Sequence, residues 1–491
     1  MMDNTRNSIC VDIGEAGYIS GEPIIKNIKF SVKRGESILI TGPSGSGKTT
    51  LILALTGVLN NLLEGSVDGN ISIFGINPLD PQEFTSIPET IGVVLQDPEK
   101  QLSMSTPYDE VAFTLENLGY SSNDIDRLTK EILNWMGLGN KMFIDSLYLS
   151  GGEKKRLCIA SSIVHKPRLL ILDEPTANLD PWGVKELLEY IELLKNKGYT
   201  LIIVEHKAKY FLNLSDRVLL IKDGELKKIY QVKNVKPHDL ENDLANEGVD
   251  ASCKIRSKGV VKSGGEVLYT VDGVSFRYSD KDEEVISNVT LEIYRGDVVL
   301  FMGPNGSGKT TLLKLLAGFY KPTRGKITLH LDGRSISLTR PTREVFYISQ
   351  EPDYMFIYGS VKDELWKSGA EQDVIRLLEE VPWLRNSMNE SPYNLSHGQR
   401  RWLAYYIARL YDPDIYLFDE PSAGLDLNLL RRFLTWIMSI REKGKTIIIA
   451  THDPRLLQLD INSIFLVKDG RVEKKDVKDV IGMMNQLFRG G

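Results

Sequence analysis

The same glycine-rich loop is written into this chain twice, each time between an apolar run and a stretch with helical spacing. Gly42-Pro-Ser44-Gly45-Ser-Gly47-Lys48-Thr49-Thr50 returns as Gly303-Pro-Asn305-Gly306-Ser-Gly308-Lys309-Thr310-Thr311. Glycine lets a loop curl until several backbone N–H groups converge, and the helix that follows adds the positive end of its dipole. A strand feeding the loop and a helix leaving it predict an α/β fold, built twice. By average composition a chain of this length holds about 0.02 such loops by chance, so two at corresponding places are not coincidence.

Four landmarks follow each loop in the same order: a glutamine (Gln96, Gln350), a Leu-Ser-x-Gly run, an apolar-Asp-Glu-Pro run and a histidine. Ser150 to Glu174 to His206 covers 24 and then 32 residues, and Ser396 to Glu420 to His452 covers 24 and then 32. The interval from loop to glutamine to serine is shorter in the second copy, so variation falls in the early strands and in a helical insert.

Strands are expected at Ser37–Thr41, Leu169–Leu172 and Thr200–Val204, and again at Val298–Met302, Ile415–Phe418 and Thr446–Ala450. Their continuous apolar character suits strands buried on both faces. Helices are expected at Thr50–Leu59 and Thr311–Ala317. Thr106 and Ser360, each with Asp three residues on, read as helix N-caps. Glu110 and Glu364 then read as solvated first-turn charges. Residues 233–265 are polar and weakly periodic, which divides the chain into 1–232, a linker, and 266–491.

The loops would cradle a nucleotide's phosphates, with Lys48 and Lys309 neutralising β- and γ-phosphate charge and Thr49 and Thr310 ligating Mg²⁺. Asp173 and Asp419, closing buried strands, can reach that magnesium. Glu174 and Glu420 can polarise an attacking water. Gln96 and Gln350 can offer an amide to metal or water, and His206 and His452 a donor to the γ-phosphate. Ser150-Gly151-Gly152, followed by basic residues at a helix start, reads as a further anion site.

The 491 residues are 42% hydrophobic and 26% charged, within the range of globular proteins, and no apolar run approaches the roughly 18 residues of a membrane span. The first residues lack a basic segment followed by an apolar one, so a cytosolic chain is expected. Cys10, Cys158 and Cys253 are too few and too scattered for a disulfide framework or metal cluster. A net charge of −6 gives no global attraction to nucleic acid.

Taken together, Leu149-Ser150-Gly-Gly152-Glu-Lys-Lys-Arg156 and Leu395-Ser396-His-Gly398-Gln-Arg-Arg401 resemble the signature motif of ATP-binding cassette (ABC) ATPases. The other landmarks resemble that family's Walker A, Q-loop, Walker B and H-loop, and Asn178-Leu-Asp180 and Gly424-Leu-Asp426 its D-loop. The resemblance spans both halves. It implies a RecA-like, mostly parallel sheet in each, with an antiparallel β subdomain and an inserted helical subdomain. It also implies two ATPs sandwiched head to tail. One would lie between Lys48, Thr49, Gln96, Glu174 and His206 and the opposite Ser396 and Gly398; the other between Lys309, Thr310, Gln350, Glu420 and His452 and the opposite Ser150, Gly151 and Gly152. Tyr18 and Tyr278 stand where the family places an adenine-stacking tyrosine. His397 replaces a signature glycine and Glu205-His206-Lys207 is an unusual H-loop, so two competent but unequal sites are expected.

Gln96-Asp-Pro-Glu-Lys-Gln101-Leu and Asp109-Glu-Val-Ala-Phe-Thr-Leu-Glu-Asn117-Leu are similar to ATPases of energy-coupling factor importers. That similarity implies a transmembrane coupling subunit and a small substrate-binding membrane protein as partners, a place on the inner face of the membrane, and no nucleic acid. The competing expectation is a soluble tandem-cassette ATPase acting on ribosomes or nucleic acid.

Overall fold

The computed structural model describes residues 9–19, 21–252, 257–279 and 283–488. Cys253 and the chain start lie outside this set. Two compact units emerge, Met1–Leu179 with Gly183–Cys253, and Asp180–Trp182 with Lys254–Gly491.

In the first unit five parallel strands run in the order Ile91–Val94, Leu169–Asp173, Thr200–Val204, Ser37–Thr41 and Arg217–Lys222. The strand that feeds the glycine loop is therefore interior, with a parallel neighbour on each side. Ile38, Leu39 and Ile40 are fully buried, each such side chain stabilising the fold by about 1.5–3 kcal/mol over exposure. Glu225–Gln231 joins antiparallel and links the core, through a single Lys26–Glu225 pairing, to the antiparallel strands Ile25–Val32, Ile9–Tyr18 and Gly65–Ile73.

The second unit repeats the parallel core as Val345–Ile348, Ile415–Asp419, Thr446–Thr451, Val298–Met302 and Ser463–Lys468, with Arg471–Lys475 antiparallel at the edge. Its antiparallel layer is a separate four-stranded sheet, Ile286–Tyr294, Val267–Phe276, Arg324–Leu331 and Arg334–Ser337. Beneath Ile415–Asp419 an aromatic cluster of Tyr405, Tyr416, Phe418, Phe433 and Trp436 packs against the strand that ends in Asp419.

Helical inserts occupy Pro107–Asn117 and Ser122–Trp135 in the first unit, and Val361–Trp366, Glu371–Glu380 and Pro382–Asn386 in the second. Thr106 and Ser360 cap them as expected, accepting from the N–H of Asp109 at 3.2 Å and of Asp363 at 3.1 Å. The first loop helix is shorter than expected. Lys48–Leu55 stops before Gly57, which adopts φ 72°, and Val58–Asn61 forms a separate turn.

The segment read as a linker is not bare. Pro237–Asn246 is a helix whose Leu240 and Leu244, one turn apart, are buried, and the first unit extends to Cys253. No helix among the described residues is long and apolar enough to cross a membrane.

Candidate active site

Each glycine loop ends in a left-handed glycine, Gly47 at φ 92° and Gly308 at φ 101°, directly before the helix. A Cβ at Gly308 would stand 2.9 Å from the Val285 carbonyl, and one at Gly47 would run into Ile25. Only glycine makes this bend. It delivers Lys48 and Lys309, both buried, into the concave side of the loop. The Lys48 ammonium donates to the carbonyls of Gly42 at 2.9 Å and Pro43 at 2.8 Å. Lys309 does the same to Gly303 and Pro304, both at 2.9 Å. Ser44, Gly45, Asn305 and Gly306 form the exposed lip, and Thr50 and Thr311 are buried in the first helical turn.

Glu174 and Glu420 follow the aspartate strands with left-handed backbone, φ 39° and 44°. Such φ values are uncommon outside glycine, asparagine and aspartate, and the strain is held by neighbouring bonds. The N–H of Glu174 donates to the Val204 carbonyl at 2.8 Å, and that of Glu420 to Ala450 at 2.9 Å. Four residues on, Asn178 and Gly424 adopt φ 60° and 70°, so the turn takes in each half a residue type that tolerates this region.

In the first unit the Gln96 amide donates to Glu174 at 2.7 Å, and His206 Nδ1 lies 3.6 Å from the same carboxylate. Glu205, fully buried, competes for that imidazole at 3.1 Å and also accepts from the N–H groups of His206 at 2.9 Å and Lys207 at 3.0 Å. In the second unit His452 Nδ1 is 3.0 Å from Glu420, and Lys309 is 3.5 Å from it. Thr451 stands where Glu205 does.

Burial raises both Glu174 and Glu420, but the adjacent histidine and the loop lysine outweigh it and hold each below its ordinary value. Asp173 goes the other way: burial and then the Glu174 charge push it up to about 7. Asp419 is also raised by burial, against two bonds that lower it, from the Tyr347 hydroxyl at 2.8 Å and from the Thr310 hydroxyl at 3.0 Å.

The aspartates and threonines supply oxygen donors only, the chemistry that suits magnesium, which takes few protein ligands and completes its shell with phosphate and water. Thr310 and Asp419 already converge to hydrogen-bond distance, whereas Thr49 stands exposed. No group of three or more His, Cys, Asp or Glu side chains forms an all-protein metal site among the described residues.

Ser150 and Ser396 cap the helices Gly151–Ile163 and His397–Tyr411 with reciprocal bonds to Glu153 and Gln399. Gly151, Gly152 and Gly398 lie in the first turn; the side chain of His397 is outside the described set. Three of the basic residues that follow have a carboxylate partner. Lys154 pairs with Glu99 at 2.8 Å, Arg156 with Glu186, and Arg400 with Asp353 at 2.8 Å.

Tyr278 is half-exposed, packs edge-on against Phe276 and Tyr320, and its hydroxyl is 2.8 Å from that of Thr311. Tyr18 is 41% exposed at its strand end. The backbone carbonyl of Gln350 accepts from Arg401 at 3.1 Å, as that of Gln96 accepts from Lys155 at 3.0 Å.

Glu110 and Glu364 are not solvated. Glu110 is 6% exposed and accepts from the N–H groups of Ser103 at 2.9 Å and Met104 at 2.8 Å; Glu364 is 2% exposed and accepts from Ile357 at 2.5 Å and Tyr358 at 2.6 Å. Their partners lie in the preceding loop rather than in water, so backbone donors replace solvation. Their matching interval of 14 residues from Gln96 and from Gln350 was the available signal. Tyr347 also went unseen, since a lone aromatic in a strand has no distinctive spacing, and Lys155 and Arg401 read only as members of the two signature runs, although each stands five residues beyond its serine. Of the cysteines, Cys158 is a free buried thiol that burial pushes up to about 12, and Cys10 is free and half-buried.

The model of the family described as "ABC transporter" matches residues 25–177 and 286–423. A Methanosarcina mazei protein named "Putative ABC transporter ATP-binding protein" is 32% identical over 94% of this chain and 94% of its own length. A Methanosarcina acetivorans protein of the same name is 31% identical over 92% of this chain and 86% of its own. Among solved structures, a chain from a model of ribosome-bound archaeal Pelota and ABCE1 aligns with TM-score 0.66 at 23% identity, covering 93% of this chain and 77% of that one. At that identity the likeness is one of fold.

Proposed function

We propose, from the premise that this chain belongs to the ABC transporter family and is an ATP-binding, ATP-hydrolysing protein with two cassettes, that it energises a membrane importer of the energy-coupling type. The observation that carries this reading is the full-length relationship, above 30% identity, to proteins named as transporter ATP-binding proteins, against a likeness to the ribosome-bound protein that extends only to fold. The residue run from Gln96 to Leu118 supports the energy-coupling subtype. Exposed apolar side chains support a protein partner: Phe143, Leu147 and Tyr148 are 70%, 78% and 81% exposed in the first unit, and Tyr354 and Ile357 are 84% and 83% exposed in the second. That partner is a transmembrane coupling subunit, accompanied by a small substrate-binding membrane protein, and the chain sits peripherally on the inner face of the membrane.

In this reading each ATP is held by one half's glycine loop and completed by the other half's signature residues, Ser150 to Gly152 or Ser396 and Gly398. Lys48 and Lys309 exchange their loop carbonyls for phosphate oxygens. Mg²⁺, held by Thr49 and Asp173 or Thr310 and Asp419, supplies charge neutralisation on the phosphates when bound. Glu174 and Glu420, kept ionised by their histidines and lysines, accept hydrogen bonds from the attacking water; Gln96 and Gln350 orient it; His206 and His452 donate to the γ-phosphate. Tyr18 and Tyr278 stack on adenine.

Purification of the chain from detergent-solubilised native membranes tests the reading. Recovery of a multi-span membrane protein in stoichiometric amount supports it, and co-sedimentation with ribosomes in its place overturns it.

A further inference from the structure

We propose that the buried cation five residues beyond each signature serine, Lys155 in the first half and Arg401 in the second, is a positioning residue that aims the Q-loop glutamine. Lys155 is 2% exposed, and its ammonium donates to the carbonyls of Leu95 at 2.9 Å and Gln96 at 3.0 Å. The Gln96 side chain leaves that same residue to reach Glu174 at 2.7 Å. One ammonium thus fixes the backbone from which the amide is aimed.

Burying a cation is costly, and among the described residues no carboxylate lies within ion-pair distance of Lys155. A neutral amide would satisfy two carbonyls with less desolvation. The second half nevertheless spends a charge at the matching place. Arg401, 5% exposed, donates to the Gln350 carbonyl at 3.1 Å and to that of Ala423, in the turn that follows Glu420.

The far end of each loop is held by the opposite charge. Glu110 takes the N–H groups of Ser103 and Met104, and Glu364 those of Ile357 and Tyr358. From Gln96 to Met104 is eight residues, and from Gln350 to Tyr358 is eight, although the regions before and after differ in length between the halves. Each loop is a segment of fixed length pinned at its start by a cation on carbonyls and at its end by a carboxylate on amides.

The inference rests on the proposed role of Gln96 in hydrolysis. The test uses the full chain carrying Glu420→Gln, so that turnover reports the first half, and compares Lys155→Met, Lys155→Gln, Lys155→Arg and Gln96→Ala. Lys155→Met and Lys155→Gln are expected to accelerate amide hydrogen exchange in residues 96–104. They should lower kcat by about tenfold, with affinity for a fluorescent ATP analogue within about twofold, while Lys155→Arg restores both exchange and kcat to within about threefold. Parallel loss of ATP affinity and kcat without rescue by arginine would mark a purely structural lysine and overturn the proposal. So would unchanged exchange and kcat in Lys155→Gln while Gln96→Ala lowers turnover, in which case the glutamine's role stands. If Gln96→Ala leaves turnover unchanged, both readings fall.

Discussion

The two halves repeat the same parallel core but not the partners of their candidate site side chains. Glu174 and Glu420 occupy the same left-handed position, yet His452 sits 3.0 Å from its glutamate and His206 sits 3.6 Å from its own, drawn toward Glu205. Asp419 is held by a threonine and a tyrosine hydroxyl. In the first half Val93 lies where Tyr347 does, with no hydroxyl to offer. A duplicated fold therefore fixes where chemistry happens and leaves open how tightly each group is held.

The largest expected effect tests whether both halves work at all. Glu174→Gln and Glu420→Gln should each reduce phosphate release, with about 10²–10³-fold loss at the substituted site. Unequal residual rates are the expected outcome, and unchanged hydrolysis in both variants would falsify two competent sites. Next come the loop-holding carboxylates. Glu110→Ala should destabilise the first unit by about 2–3 kcal/mol, because two buried N–H groups lose a charged acceptor, and Glu364→Ala should do the same in the second. Urea denaturation of each variant checks this; a change under 0.5 kcal/mol, on the order of a surface substitution, would return these glutamates to the solvated class.

That reversal shows what the sequence hides. Thr106 and Ser360 were legible as caps because the hydroxyl and its N–H partner are three residues apart. The glycine loops, the aspartate strands and the parallel core were legible because one residue type answers one local demand. Glu110 was not, since its partners lie six and seven residues back in an irregular loop, and a first-turn carboxylate is satisfied equally well by water. The helix Pro237–Asn246 left a weak trace, a proline start with Leu240 and Leu244 one turn apart, which a polar background obscured. Tyr347 meets Asp419 only through the pairing of neighbouring strands, and that contact has no spacing to read.

A smaller effect separates the two aspartates. The Tyr347 hydroxyl occupies an Asp419 oxygen that a cation would otherwise use, so Tyr347→Phe should lower the Mg²⁺ concentration for half-maximal ATP binding in the second half by about three- to tenfold. Val93→Tyr should raise it in the first. Magnesium titrations with a fluorescent ATP analogue measure both, and shifts of the same sign in the two variants would break the comparison.

The smallest is a difference in acid sensitivity. Both ring nitrogens of His165 are buried without a hydrogen-bond partner among the described residues, and burial holds its pKa below the ordinary 6.5. The unfolded chain takes up a proton that the folded unit resists, so this group's contribution declines as pH falls below about 6.5. Tyr411 occupies the matching place in the second half. His165→Tyr should flatten the loss of thermal stability between pH 6.5 and pH 5 relative to the parent chain, and an unaltered slope would show that His165 does not titrate on unfolding.

The left-handed glutamates have a consequence for anyone who tries to improve this protein. Glycine adopts φ 39° or 44° without strain, so replacing Glu174 or Glu420 by glycine relieves about 1 kcal/mol or more of backbone cost. A selection for heat resistance alone would be drawn to the two positions that the proposed mechanism assigns to the attacking water. Libraries screened for durability therefore need turnover scored alongside it, or the hardiest survivors will be inert.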